Sequence, residues 1–221
     1  MKMRENLLKT QLKTVGMLGA LLSIISLIVL AILPWDFPFE IPGKEVFMGE
    51  IQLNEAQLYT FQAQLTMILV VDFVFLLGWL LSWPVFCYWI KPTSTAIEKG
   101  ETMILILGLL GLVADCIENI FQILMMKQII ETGTVLEQIY IFWQIILIVS
   151  YMMPYLAMLV FFGFSCQHIN ISVQERWVGI IFTIIAGISK LIPPIQIVGD
   201  IWFLFLFFYV LCWFRRNILE K

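Results

Sequence analysis

The stretch MILILGLLGLVADCIENIFQILMM, residues 103–126, predicts a helix that crosses a membrane. About 20 consecutive apolar residues are enough to cross the hydrocarbon core of a bilayer. The second half of this stretch nevertheless carries two carboxylates and two amides, on Asp115, Glu118, Asn119 and Gln122. A charged side chain in the hydrocarbon core costs at least about 2.5–3.5 kcal/mol, so intramembrane carboxylates indicate a functional site.

The composition of the whole chain favours an all-α integral membrane protein. Of its 221 residues, 61% are hydrophobic and 13% are charged, whereas soluble domains average about 45–50% apolar and 25% charged residues. Since no segment longer than about 30 residues lies between the apolar stretches, we expect residues 1–221 to form one polytopic membrane domain. No Lys/Arg cluster is interleaved with aromatic residues, and this excludes a nucleic-acid partner.

Apolar runs predict six transmembrane helices in one bundle. The predicted spans are residues 15–33, 64–90, 103–126, 139–164, 177–192 and 195–214. Only Pro193 and Pro194 separate the last two spans. One continuous helix over both would be about 57 Å long, nearly twice the hydrocarbon thickness, so a tight turn at the prolines is expected.

The distribution of Lys and Arg predicts the orientation in a cell membrane. Most of these residues fall in the segments that share a side with the N-terminus: Lys2, Arg4, Lys9, Lys13, Lys91, Lys99, Arg176, Arg215, Arg216 and Lys221. Because cytoplasmic segments are enriched in positive charge, both termini are expected in the cytoplasm. Residues 34–63 then form an external loop, with a hairpin at 39–47, or residues 52–63 begin the second helix early.

The polar residues of several spans are expected to meet at one depth. Asp115, Glu118, Asn119 and Gln122 share a helix face because they are three or four residues apart. At a rise of about 1.5 Å per residue, Asp72, Asp115, Glu118 and Gln144 lie roughly 8–16 Å below the outer ends of their spans. The predicted polar cavity in the outer half of the bilayer is lined by Asp72, Asp115, Glu118, Asn119, Gln144 and Lys190. Gln122, Tyr151, Tyr155 and Asp200 are additional members.

The balance of charge in this predicted cavity has a consequence. Lys190 alone cannot compensate all of the carboxylates, so at least one of Asp72, Asp115 and Glu118 is expected to be protonated, or water enters the cavity from outside. A purely structural role is the alternative interpretation. Hydrogen bonds between membrane helices contribute only about 0.6 kcal/mol on average and can simply fix helix packing.

Three function classes are consistent with these residues. The first is binding or translocation of a small polar or cationic solute or of protons, by this chain alone or as a subunit of a larger assembly. The second is a membrane-embedded enzyme acting on a lipid or lipid-linked substrate, with Asp115 or Glu118 as general acid/base and Lys190 binding an anionic head group. The third is a non-catalytic assembly protein whose buried charges contact a second copy or another membrane subunit.

The sequence predicts neither a metal site nor a cofactor. Cys87, Cys116, Cys166 and Cys212 lack the CxxC spacing of zinc or redox sites, and His168 is the only histidine. No Ser/His/Asp set accompanies the carboxylates, which makes an enzyme the weaker interpretation. The lipid bilayer is the expected partner in all three classes.

Overall fold

The computed structural model describes residues 2–32, 54–89, 95–165, 173–190, 192 and 196–219. These residues form six helices and no strand, which confirms the all-α prediction for the described part of the chain. The helices are α1 (Lys2–Ile32), α2 (Glu55–Trp89), α3 (Thr95–Thr132), α4 (Glu137–Val160), α5 (Val173–Lys190) and α6 (Gln196–Leu219). A π-helical segment, Phe161–Ser165, follows α4.

Four of these helices are long and apolar enough to cross a membrane. The qualifying segments are Leu7–Leu30, Glu55–Tyr88, Thr102–Thr132 and Glu137–Gly163. They overlap the first four predicted spans, although the first two begin earlier than predicted and the third ends later. In α6 the apolar segment Ile201–Cys212 is shorter. Helix α5 carries Glu175, Arg176 and Lys190 within its 18 residues. The described structure is therefore compatible with a membrane protein.

The start of α2 differs from the predicted end of the external loop. This helix begins at Glu55, inside the predicted loop 34–63, as the early-start alternative expected. A reciprocal cap explains the position: the backbone N–H of Asn54 donates to Oε1 of Gln57, and the backbone N–H of Gln57 donates to Oδ1 of Asn54, both at 2.9 Å. Residues 33–53, with the hairpin predicted at 39–47, lie outside the described residues.

The six helices pack as a closed ring in chain order. Each helix contacts the next one along the sequence, and α6 returns to contact α1. Helices that are consecutive in the chain usually pack as neighbours, which favours this arrangement. The ring places α2, α3 and α4 side by side, and it places α5 between α4 and α6.

Two apolar clusters fill the bundle at different levels. The inner aromatic cluster lies between the helices and contains Phe75, Trp79, Trp83, Phe86, Phe161, Phe203 and Phe207. Its neighbouring rings meet edge-on or tilted at centroid separations such as 5.7 Å for Phe75 and Phe207. The end cluster lies between α2, α3 and α4 near the α3–α4 turn and contains Phe61, Met125, Ile129, Val135, Tyr140 and Trp143. Between these two clusters lies the polar segment of each of the three helices.

Candidate polar site

Polar side chains from α2, α3 and α4 meet between the two apolar clusters. Three polar residues lie at this level: Asp72, Glu118 and Ser150. On each helix, residues of the end cluster lie on one side of the polar residue, and residues that belong to or pack against the inner aromatic cluster lie on the other. Buried polar groups at this level need hydrogen-bond partners. The hydrogen bonds made there define the site.

Asp72 on α2 is held by Asn119 on α3. The side-chain amide nitrogen of Asn119 donates to Oδ2 of Asp72 at 2.5 Å. Only 3% of Asn119 is exposed. The sequence predicted both residues as members of one polar site, and the structure brings them into direct contact.

Glu118 is held by two donors from two helices. The hydroxyl of Ser150 on α4 donates to Oε2 at 2.7 Å, and Nε2 of Gln122 on α3 donates to Oε1 at 2.9 Å. Both oxygens of this buried carboxylate are therefore engaged. The Ser150 hydroxyl also lies 2.9 Å from the carbonyl oxygen of Leu147. Sequence reasoning missed Ser150, because a lone serine in an apolar span is usually bonded to its own backbone.

Asp115 differs from the other two carboxylates. It is partly buried and interacts electrostatically with Asp72, Glu118 and Lys190. Among the described residues, none donates a hydrogen bond to its carboxylate. Of the three acids, Asp115 is thus the one whose oxygens accept no hydrogen bond from the described residues.

Lys190 brings a positive charge to the same place from the end of α5. Its Nζ lies 4.9 Å from the centroid of the Tyr151 ring, within the range of a cation–π interaction. The ammonium also interacts electrostatically with Asp115 and Glu118. Because Lys190 is the last residue of α5, the end of this helix lies beside the site.

The helices around the site end at different levels. Helix α5 stops at Lys190 beside the site, whereas α3 continues from Glu118 to Thr132, roughly another 21 Å. The end cluster covers the site along α2, α3 and α4. Among the described residues of α5 and α6, none belongs to the end cluster.

The structure does not bring Gln144 to the carboxylates. Its side chain is exposed, and Nε2 donates to the hydroxyl of Tyr140, one turn away on the same helix, at 2.9 Å. The helical period places Gln144 on the face of Tyr151, but roughly 10 Å further along α4. The described part of α5 ends at Lys190 beside Tyr151, so it does not reach the level of Gln144.

The remaining predicted members lie around Lys190. Tyr155 is buried against Trp202 and Phe203, with ring centroids 5.1 and 5.2 Å away. Asp200 lies in the first turns of α6, and its side chain is outside the described part of the structure. Gly199, the residue before it, contacts the stem of Lys190 and the Tyr155 hydroxyl so closely that a methyl group there would lie 2.6 and 2.7 Å from them. Hydropathy gives no signal for such a steric contact.

In the segments that the structure describes, no group of three or more His, Cys, Asp or Glu side chains is placed to hold one metal ion. The three carboxylates lie near one another without converging on a single point. Comparison with protein-family models, curated proteins and solved structures found no match to this chain. The chemistry of the site therefore has to be argued from its own side chains.

Proposed function

We propose that this chain is a polytopic membrane protein with six transmembrane helices that binds and translocates protons or a small cationic or polar solute, alone or as a subunit of a larger assembly. Asp115 is the binding group in this proposal. The closed ring supports six spans, since α5 and α6 each contact both of their neighbours in it. With 18 and 24 residues they extend about 27 and 36 Å, close to the thickness of the hydrocarbon core.

The observation that carries the proposal is that, of three neighbouring acids, only two accept hydrogen bonds from described residues. Asp72 accepts a hydrogen bond from Asn119, and Glu118 accepts two. Asp115 has no such donor among the described residues, although it interacts with both acids. A carboxylate in this position gains most from binding a proton or a cation, because either one removes repulsion between like charges.

The nature of the solute follows from the same contacts. A divalent metal ion needs several oxygen ligands around one point, whereas Asp72 and Glu118 already accept hydrogen bonds from neighbours. One carboxylate with unengaged oxygens suits a proton or a monovalent cation better. We therefore place protons first and small organic or inorganic monovalent cations second.

Access from one side is the third element of the proposal. The inner aromatic cluster separates the site from the end of the bundle where α2 ends and α3 begins, and the end cluster covers it along α2, α3 and α4. The end of α5 at Lys190 lies beside the site. With both termini in the cytoplasm, as the positive-inside rule predicts, this end of α5 faces outwards and the site opens to the outside.

Proton flux in proteoliposomes tests the function. The purified chain is reconstituted with a pH-sensitive dye inside the vesicles, and a potassium gradient with valinomycin sets the membrane potential. We expect Asp115→Asn to lower the initial flux at least about tenfold, since the amide keeps the shape of the side chain but cannot ionise. Glu131→Gln is the matched control, because Glu131 is an exposed acid on the same helix that pairs with Lys127 at 3.7 Å.

The result is decisive in either direction. Wild-type flux that Asp115→Asn abolishes, and that Glu131→Gln leaves unchanged, supports the proposal. Equal flux in wild type and Asp115→Asn overturns the assignment of Asp115. Repeating the assay with radiolabelled methylammonium under a constant pH distinguishes protons from a small organic cation.

Cysteine labelling tests the topology separately. Thr134 in the α3–α4 turn and Arg215 near the end of α6 are both exposed. In a background with Cys212 replaced by serine, a membrane-impermeant maleimide should label Thr134→Cys in intact cells but Arg215→Cys only after the cells are opened. Labelling of Arg215→Cys from outside would contradict the proposed orientation.

A further inference from the structure

The contact between Gly199 and Lys190 carries an inference about how the proposed site is controlled. We propose that Gly199 is a positioning residue, which lets the first turn of α6 hold the Lys190 ammonium over Tyr151, where it acts as a resident cation that competes with protons or solute for Asp115. By resident cation we mean a positive charge supplied by the protein itself. This inference rests on the proposed function and concerns the same site.

The stem of Lys190 is confined by the backbone of α6. A methyl group on Gly199 would lie 2.6 Å from Cγ and 3.0 Å from Cδ of Lys190, and 2.7 Å from the hydroxyl oxygen of Tyr155. Contacts this short are not tolerated between real carbon atoms, so any larger residue at position 199 must displace Lys190, Tyr155 or the helix. A glycine is required for the observed position of the lysine.

The head of Lys190 is directed by an aromatic ring and by acids. The ammonium lies 4.9 Å from the centroid of the Tyr151 ring and interacts electrostatically with Asp115 and Glu118. A cation held in this region of low dielectric lowers the affinity of the nearby carboxylates for a second cation. Lys190 therefore opposes the binding of the solute for as long as it stays in place.

Several charged or titratable groups face Lys190 from the elements packed around it. They are Asp115 and Glu118 on α3 and Tyr151 and Tyr155 on α4. Asp72 on α2 interacts with Asp115 and Glu118. The acids of α3 are the groups whose charge changes when a proton or cation binds.

The position of Lys190 also links the site to the end of α5. Lys190 is the last residue of α5, and Gly199 lies in the first turn of α6. When the acids are neutralised, the attraction between Lys190 and α3 weakens. Occupancy of the site thereby changes how firmly the end of α5 is held against α3.

Two glycines that face the same tyrosine provide a matched experiment. An added methyl at Gly199 would collide with Lys190 and Tyr155, whereas one at Gly187 on α5 would lie 3.5–3.7 Å from Tyr155, which is ordinary van der Waals contact. Gly199→Ala should therefore displace the ammonium, and Gly187→Ala should not. Both substitutions change glycine to alanine in a buried part of a helix.

The measurement is an infrared pH titration of the purified full chain in detergent. The signal is the absorption of the protonated carboxylic acid that disappears in Asp115→Asn. With the resident cation displaced, the protonated acid persists to higher pH, so we expect the midpoint in Gly199→Ala to rise by about one pH unit, a tenfold change in proton affinity. Gly187→Ala should titrate like wild type.

Coupling to Lys190 separates positioning from a general steric effect. Lys190→Met alone should raise the midpoint at least as much as Gly199→Ala, and the double variant should match Lys190→Met alone, because the two substitutions remove the same interaction. An equal shift of Gly199→Ala in both backgrounds overturns the inference. An unchanged midpoint in Lys190→Met overturns it as well.

A second variant keeps the test available if Gly199→Ala does not fold. Tyr151→Leu removes the ring beneath the ammonium without touching α6, and it should raise the midpoint only when Lys190 is present. Because the titration does not depend on transport, its outcome is independent of the flux assay. Proton flux with unaltered midpoints would overturn the resident cation alone, and shifted midpoints without flux would overturn the proposed function alone.

Discussion

The side-chain amide of Asn119 donates a hydrogen bond of 2.5 Å to the carboxylate of Asp72, joining α3 to α2 inside the bundle. Asn119 is almost fully buried, so water cannot replace the amide if it is removed. A buried carboxylate that loses its donor bears a desolvation cost that the remaining structure does not compensate. The bond is therefore a stabilising contact between two helices as well as part of the polar site.

Replacing the amide should destabilise the protein. We expect Asn119→Leu to lower the free energy of unfolding by about 1–3 kcal/mol, because it leaves Asp72 without its donor. Thermal unfolding in detergent, followed by intrinsic tryptophan fluorescence, measures the change. The double variant Asp72→Leu/Asn119→Leu should recover most of the loss, since neither polar group then remains. A double variant that is as unstable as the sum of the two single variants would contradict this explanation.

Removing the Ser150 hydroxyl should affect stability through Glu118. Ser150→Ala deletes the donor to Oε2 of Glu118, and we expect a loss of about 1–3 kcal/mol in the free energy of unfolding. Ser189→Ala is the control, because the Ser189 hydroxyl is also buried but donates to the carbonyl oxygen of Ala186 on its own helix at 2.7 Å. If both variants lose the same free energy of unfolding, the bond to Glu118 stabilises the protein no more than a bond within one helix does.

Helical periodicity and depth predicted much of the polar site. The spacing of Asp115, Glu118, Asn119 and Gln122 is a property of one helix, so the sequence contains it completely. The pairing with Asp72 needed only the antiparallel order of neighbouring helices and a constant rise per residue. The helical spacing and the order of neighbouring helices can both be read from the sequence. The structure brings these residues together.

Other features depend on where a neighbouring helix ends. Gln144 and Tyr151 share a face of α4, yet only Tyr151 has α5 beside it, because α5 stops at Lys190. Hydropathy predicted the end of this helix to within two residues but could not show which neighbours reach that level. The contact of Gly199 with Lys190 is likewise a matter of fit between helices, and no pattern in the sequence reports it.

The turn between α3 and α4 depends on a left-handed backbone conformation. Gly133 has φ of 74°, and its N–H donates to the carbonyl oxygen of Ile129 at 2.9 Å, as in a helix that ends in a left-handed cap. Gly133→Ala should lower the free energy of unfolding by about 1–2 kcal/mol, because a Cβ disfavours this conformation. Gly133→Asn should cost less, since asparagine adopts it more readily. Equal stability of the alanine variant and wild type in chemical unfolding would contradict this.

The backbones of α1 and α2 approach each other closely at Gly19, which gives a specific steric prediction. A methyl group there would lie 2.7 Å from the carbonyl oxygen of Gly78 and 2.7 Å from the backbone nitrogen of Ser82, and backbone atoms cannot move aside as side chains can. We expect Gly19→Ala to force the helices apart and to lower the free energy of unfolding by about 1–3 kcal/mol. Gly163→Ala is the control, because an added methyl at Gly163 has no atom within 4 Å. Thermal unfolding of the two variants side by side measures the difference, and a Gly19→Ala protein as stable as Gly163→Ala would show that α1 and α2 do not pack this closely.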